Sequence, residues 1–373
     1  MNNYPTIIVH GFLGAGEEVL LNKVYRDFGC FEKDLPKHLR EQGYEVYQPG
    51  VGPINSVWDR CCILWAWLVG GTVDFGKVHS ERNHHARYGR TYPGVLKDVG
   101  TEGDHKKFNL IGHSFGGPTV ALFASLLEAG SEEERAGTPE DELSDLFKGG
   151  HGEWVHSVTT LSGVLQGTST CDFLGVKGRH FASYLLNGVG CLISETPIAK
   201  VFDPMEEHLY NAFPTKREAL KNLARSDDDV FWNMSVEYCK QQAKHFVMVP
   251  GAYYYCYRAL MTHDNGKGHQ VANKGITPAF NLTSFVIDRY RNASLGIDDS
   301  WAESDGIVNV RGVEPPAGLP SVEWEEGCEE RPGVWYKMPV QVRDHQTWIG
   351  MAMDKEEYYA EFDAMLKKLS EME

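Results

Sequence analysis

Long apolar runs, paired cysteines, internal repeats and surplus positive charge are all missing from this chain. No stretch of 18 or more apolar residues occurs in its 373 residues, so stable insertion across a bilayer as a helix is excluded. Lysine and arginine number 36 against 52 aspartates and glutamates, a net charge of −16. That balance excludes nucleic acid and anionic membranes as partners held by charge. The eight cysteines contain no C-x-x-C pair, and a chain this long needs no disulfide, so they are read as reduced core thiols. Met1 is followed within a few positions by Pro5-Thr6-Ile7-Ile8-Val9. This reads as a strand entering the core rather than a leader peptide, which leaves a cytosolic protein or the mature part of a secreted one.

What is present is enough apolar material, 42% of residues, for one large α/β domain or two small ones. Strand-like runs at Thr6–Val9, Phe108–Ile111, Val155–Leu161 and Phe246–Val249 alternate with helical patterns, which predicts a mainly parallel sheet covered by helices. Pro118–Ala129 keeps helical composition and stops at Gly130, and 354–373 places Tyr358, Phe362, Met365, Leu366 and Leu369 on one face of a closing amphipathic helix. The acidic, turn-rich stretch 131–152 reads as a solvated excursion. Between 168 and 215 an apolar stripe (Phe181, Tyr184, Leu185, Val189, Leu192, Ile193) is interrupted by Gly175, Gly178, Gly188 and Gly190. It fits either a buried core helix or a lid hinged at its glycines.

The sharpest local signal is Gly112-His113-Ser114-Phe115-Gly116. It has the G-x-S-x-G form in which a tight turn lifts a serine oxygen clear of a strand end, and here an apolar strand precedes it and a helix follows. A serine hydroxyl is a weak nucleophile at neutral pH and needs a histidine base oriented by an acid, which in this arrangement follow the serine in the order acid, then histidine. Asp305, in a turn-forming Asp-Gly before Ile-Val, is the leading acid, with Asp298 and Asp299 as rivals; His345 is the base. The tetrahedral intermediate also needs two N–H donors. Phe115 supplies one and Phe12, in the loop after the first strand, the other.

A second constellation contains Asp59, His79, His84 and His85, with Asp227, Asp228 and Asp229 much later. Imidazole and carboxylate together can bind zinc, but His-x5-His is no recognised finger, and spacing alone does not separate a metal site from surface histidines.

The segments VHGFLG, WDRCC, GGTVDFG, HARYGRTYPG, IGHSFGG, SLLEAGSEEE, LFKGGH, RNASLGIDDSWAESDGIVN and GVWYKM, in matching order over nearly the whole chain, resemble the large secreted lipases of thermophilic bacilli and staphylococci. That resemblance implies one α/β-hydrolase domain over 1–373, a mainly parallel sheet with helices on both faces, a zinc-bearing insertion at about 54–92 and a helical lid within 168–215. It implies a serine carboxylic-ester hydrolase of triacylglycerol-lipase type acting at an oil–water interface. The nearer alternative is an esterase or polyester hydrolase, and the remoter one a non-catalytic hydrolase-fold binding protein. By the same resemblance Ser114, Asp305 and His345 take the triad positions and Phe12 and Phe115 the oxyanion positions. Asp59, His79, His85 and Asp228 take those of structural zinc ligands, with Asp227 or Asp229 as alternatives to Asp228. The family's calcium acids fall two and seven positions beyond the triad histidine, where this chain has Thr347 and Ala352, so calcium is not expected.

Overall fold

The computed structural model describes residues 2–194, 196 and 228–372. Its strands are β1 (Thr6–Val9), β2 (Val46–Tyr47), β3 (Gly71–Asp74), β4 (Tyr88–Tyr92), β5 (Phe108–His113), β6 (Val155–Leu161), β7 (Tyr253–Tyr257), β8 (Thr262–Asp264), β9 (Gln270–Ala272), β10 (Ser321–Glu323) and β11 (Trp335–Lys337). Seven of them form one sheet in the order β10-β11-β7-β6-β5-β1-β2, parallel throughout. A parallel sheet buries both faces, and every residue of β1, β5 and β6 is buried.

The helices that position functional groups are α1 (Leu35–Glu41), α2 (Val57–Val69), α3 (Lys77–Asn83), α4 (Gly116–Ala129), α5 (Glu132–Gly137), α6 (Ser169–Ser194), α7 (Phe280–Arg289) and α8 (Lys355–Glu371). Two apolar layers lie against the sheet. One joins α2 and α4 to it through Leu64, Leu68, Val120, Phe123 and Leu127. The other packs α1 and α8 on the opposite face through Leu35, Leu39, Tyr358, Phe362 and Leu366. The closing helix is capped by Asp354, whose carboxylate accepts from the N–H groups of Glu356 and Glu357. Segment 54–92 contributes α2, α3 and the separate antiparallel pair β3–β4.

Three expectations change. Phe246–Val249 is not a strand; the sheet position belongs to Tyr253–Tyr257, whose Tyr254 hydroxyl accepts from the Val249 N–H at 2.8 Å. Residues 334–342 read as strand-like in sequence, yet β11 ends at Lys337, two residues before Pro339, which has no ladder donor to give. Residues 131–152 are folded rather than solvated: Glu134, Leu146 and Phe147 are buried there. Ser131 accepts from the Glu134 N–H, a serine cap with glutamate three residues on.

Helix α6 departs from helical geometry at Gly175 (φ 63°, ψ 172°). Its apolar stripe faces outward, with Phe181 66%, Leu185 56%, Phe173 56% and Val176 52% exposed, so this part of the segment is not a buried core helix. The remainder of the 168–215 region, including the side chains of Leu192 and Ile193, lies outside the described residues. The seven described cysteines are free thiols, five of them buried.

Candidate active site and metal centre

Ser114 occupies the turn between β5 and α4 with φ 55°, a left-handed conformation that costs a non-glycine residue energy and marks an imposed geometry. The neighbourhood is built for close approach. A Cβ on Gly116 would lie 2.2 Å from the Val9 carbonyl oxygen, and one on Gly11 would lie 2.8 Å from Ser114 Cβ. The serine is thus lifted at the strand's end, facing the loop after β1 that carries Phe12. Phe115 is the first residue before α4 and is fully buried, so its N–H belongs to the helix end where backbone donors have no intrahelical acceptor. Phe12 is half-buried against Phe231.

Asp305 and His345 meet directly. His345 Nδ1 donates to Asp305 Oδ2 at 2.7 Å, and the His345 N–H donates to the Asp305 carbonyl at 3.0 Å. Oδ1 of the same carboxylate accepts from Val308 N at 2.9 Å and Ile307 N at 3.2 Å, which fixes its orientation. With Nδ1–H committed to the acid, Nε2 is the basic nitrogen. The rivals are placed elsewhere: Asp298 caps a short turn through Ser300, and Asp299 pairs with Arg291 at the surface. No hydrogen bond joins Ser114 to His345 among the described residues; such contacts tighten when substrate binds.

His113 was not singled out by sequence, although it is the variable position before the serine. Its Nε2–H donates to the His345 carbonyl at 3.0 Å. Burial, and then the neighbouring His345, hold it well below the usual imidazole range, so it is a neutral donor. Past His345, Lys33 Nζ donates to the Gly350 carbonyl at 2.8 Å, bracing the turn that carries Thr347 and Ala352.

The second constellation also assembles. One donor atom from each of Asp59, His79, His85 and Asp228 falls within a group no wider than 4.8 Å. His79 Nε2 lies 3.3 Å from Asp59 Oδ1 and 3.2 Å from Asp228 Oδ2, and His85 Nε2 lies 3.6 Å from the same oxygen. Metal–ligand bonds near 2.0–2.1 Å give a tetrahedron with edges of about 3.3 Å, so two imidazoles and two carboxylates in this arrangement can hold a metal ion. Burial opposes the charging of His79, yet Asp228 and Asp59 outweigh it and push the imidazole up to about 10. Burial likewise opposes ionisation of Asp228, but His79 and His85 hold it well below the usual carboxylate range. His85 Nδ1 donates to the Ala86 carbonyl at 2.8 Å, so Nε2 is the nitrogen that can ligate a metal.

The alternatives separate. Asp229 Oδ1 caps a helical turn through Phe231 N at 2.7 Å and Trp232 N at 3.0 Å, His84 is exposed at the end of α3, and Asp227 lies outside the described residues. Glu134 was overlooked. Its carboxylate accepts from His79 N at 2.8 Å and Val78 N at 3.1 Å, capping α3 from the stretch read as solvent-facing. Trp58 stacks on both His79 and Phe147, with ring centres 5.2 Å apart in each pair.

Comparison with known proteins adds an independent line. A family model described as the lipase-like C-terminal domain matches residues 2–371. A lipase of Staphylococcus hyicus is 30% identical over 379 residues, spanning 94% of this chain and 54% of its own length. A Staphylococcus epidermidis lipase is 29% identical over 361 residues, spanning 94% and 50%. The chain therefore spans about half the length of these relatives. Among solved structures, Staphylococcus hyicus lipase superposes with a TM-score of 0.88 at 27% identity, covering 99% of this chain and 96% of that one. EstA from Clostridium botulinum superposes with a TM-score of 0.82 at 33% identity, covering 100% and 89%.

Proposed function

The chain belongs to the family of lipase-like C-terminal domains, and from that premise we propose that it is a serine carboxylic-ester hydrolase of lipase type. Ser114 attacks the ester carbonyl, His345 Nε2 takes its proton and returns it to the leaving alcohol, and Asp305 holds the imidazole in the required tautomer. The N–H groups of Phe12 and Phe115 receive the oxyanion. Water, deprotonated by His345, then releases the acid from the acyl-enzyme. The observation that carries this reading is the pairing of a left-handed Ser114 at the β5–α4 turn with the hydrogen-bonded Asp305–His345 pair. Zinc suits the donor set of Asp59, His79, His85 and Asp228, and four protein ligands leave no position for an activated water, so its contribution there is cohesion.

Lipid is favoured over short soluble esters by the apolar face of α6, continued on α7 by Leu282 and Phe285, 71% and 55% exposed. Such a surface suits contact with an oil–water interface, and α6 with its break at Gly175 serves as the lid. Two measurements test the proposal. Ser114→Ala abolishes p-nitrophenyl ester turnover and organophosphate labelling while leaving the fold intact; a variant that kept full turnover would refute the assignment. An ester chain-length series with and without emulsified oil separates lipase from esterase, because only the lipase gains rate on long chains when the interface is present.

A further inference from the structure

Arg60 is fully buried, and its place in the fold is not explained by packing. It follows Asp59 on α2, where a one-residue step turns the side chain by about 100°. Asp59 thus points to the metal group while Arg60 reaches the loop after β1. There Arg60 Nη2 donates to the His10 carbonyl, and the guanidinium carbon sits 5.0 Å from the centre of the Phe115 ring. Nε and Nη1 have no hydrogen-bond partner among the described residues. A guanidinium removed from water is costly; the buried Asp27 carboxylate attracts it but forms no ion pair with it among the described residues, and an apolar side chain of similar volume would fill the same space.

The two contacts mark the two sides of the oxyanion hole. Holding the His10 carbonyl fixes the peptide plane that leads through Gly11 into the Phe12 N–H. The Phe115 ring, held under the same cation, belongs to the residue whose N–H is the second donor. The loop leaves little slack: a Cβ on Gly14 would lie 2.7 Å from His10 Cβ and 2.8 Å from Asp27 Oδ2. We propose that Arg60 is a positioning residue for the oxyanion hole, one buried guanidinium that braces both donor-bearing segments and places a full positive charge behind the developing oxyanion. A fixed cation in a water-poor site acts on charge that appears only in the transition state. Arginine is suited to this because its planar fork can hold a carbonyl and lie on a ring together.

This inference rests on the ester-hydrolase reading, so its test separates the two. The intact protein, with active sites counted by titration, is assayed on p-nitrophenyl butyrate as wild type, Arg60→Met, Arg60→Lys and Ser114→Ala. Loss of a whole oxyanion donor costs roughly 100- to 1,000-fold in kcat; loss of the brace is expected to cost about 10- to 100-fold per titrated site, with KM changed less than about threefold. Arg60→Lys keeps the charge without the fork and falls between Arg60→Met and wild type. The inhibition constant of an alkylboronic acid, which binds serine as a tetrahedral anion, rises in Arg60→Met by the same factor as kcat falls. A merely structural arginine would lower the fraction of titratable sites and the melting temperature while leaving kcat per site and boronate affinity unchanged, and that result overturns the proposal. Should neither Arg60 variant fold, Phe115→Leu decides: removing the ring under the guanidinium lowers kcat and boronate affinity together, and unchanged values refute the brace. Turnover retained in Ser114→Ala sinks the hydrolase reading itself, whereas an inactive Ser114→Ala beside a fully active Arg60→Met sinks only the role of Arg60.

Discussion

Buried histidines on the two sides of α2 are held in opposite states. On the side of the serine turn, burial above all drives His10 down to about 3 and keeps His113 well below its ordinary range. On the side of the insertion, burial acts in the same direction on His79 and His85, yet both are raised, His79 to about 10. The difference is the company each keeps. His10 Nδ1 donates to the Gly11 carbonyl and its Nε2 accepts from the Val51 N–H, so backbone partners suit a neutral ring. His79 stands between Asp59 and Asp228, so two carboxylates call for positive charge. One side is complete as neutral hydrogen bonding. The other sets two carboxylates around its imidazoles and suits positive charge.

The largest effect expected from this contrast falls on the proposed catalytic pair, Asp305 and His345. Asp305→Asn should lower kcat about 10⁴-fold, because the amide favours the wrong imidazole tautomer, while the melting temperature stays nearly constant; steady-state kinetics with calorimetry measure both. Removing the metal should do the reverse. Saturating zinc at about 1,000 times its Kd adds about 4 kcal/mol to the native state, which for a chain this long is roughly 5 °C. Chelation is expected to lower the melting temperature by that amount, restored on adding zinc, with kcat per titrated site at 25 °C within about threefold. A loss of turnover without loss of stability would reverse the roles given to the two sites.

Acid should separate the two groups next. His10 and His156 have folded-state values depressed to about 3 and about 4, mainly by burial, against 6.5 unfolded. Their contribution is complete above 6.5 and is lost as pH falls toward those values, since the unfolded chain then binds protons the native state refuses. In zinc-loaded protein the unfolding free energy from urea titration should therefore drop between pH 7 and pH 5, by about 2 kcal/mol for each of these histidines. The smallest effect concerns Glu134→Gln, which turns one carboxylate oxygen on α3 into an amide donor facing N–H groups. It should cost about 1 kcal/mol of stability and about tenfold in zinc affinity, measured by denaturation and by competition with a chelator, with kcat unchanged.

The contrast also explains what the sequence made legible. The serine turn is contiguous, and its glycines are demanded by backbone contacts within the motif and with the neighbouring loop, so GHSFG between a strand and a helix declares itself. Asp305 and His345 could be ranked by chain order and by their turns. The metal group could not be read from spacing, because Asp228 is brought in from 149 positions beyond His79; only resemblance over the whole chain selected it. Glu134 was hidden by its acidic neighbours: Glu132, Glu133 and Glu134 read alike in sequence, and only the fold turns one of them inward. The true sheet strand YYYCY shows no polar alternation, so the more apolar run before it was the better match to a strand pattern. Arg60 left no trace at all, since a guanidinium next to Asp59 looks like any surface charge on a helix.

One contact carries a consequence for how the protein is made. His113 holds the His345 carbonyl across 232 positions, and β11, which precedes the histidine's segment, lies in the sheet between β10 and β7. At roughly 5–20 residues per second of synthesis, the serine turn emerges on the order of ten seconds or more before its proposed base. Throughout that interval the proposed nucleophile lacks its proposed base, so the site proposed for ester hydrolysis is completed only after His345 has emerged.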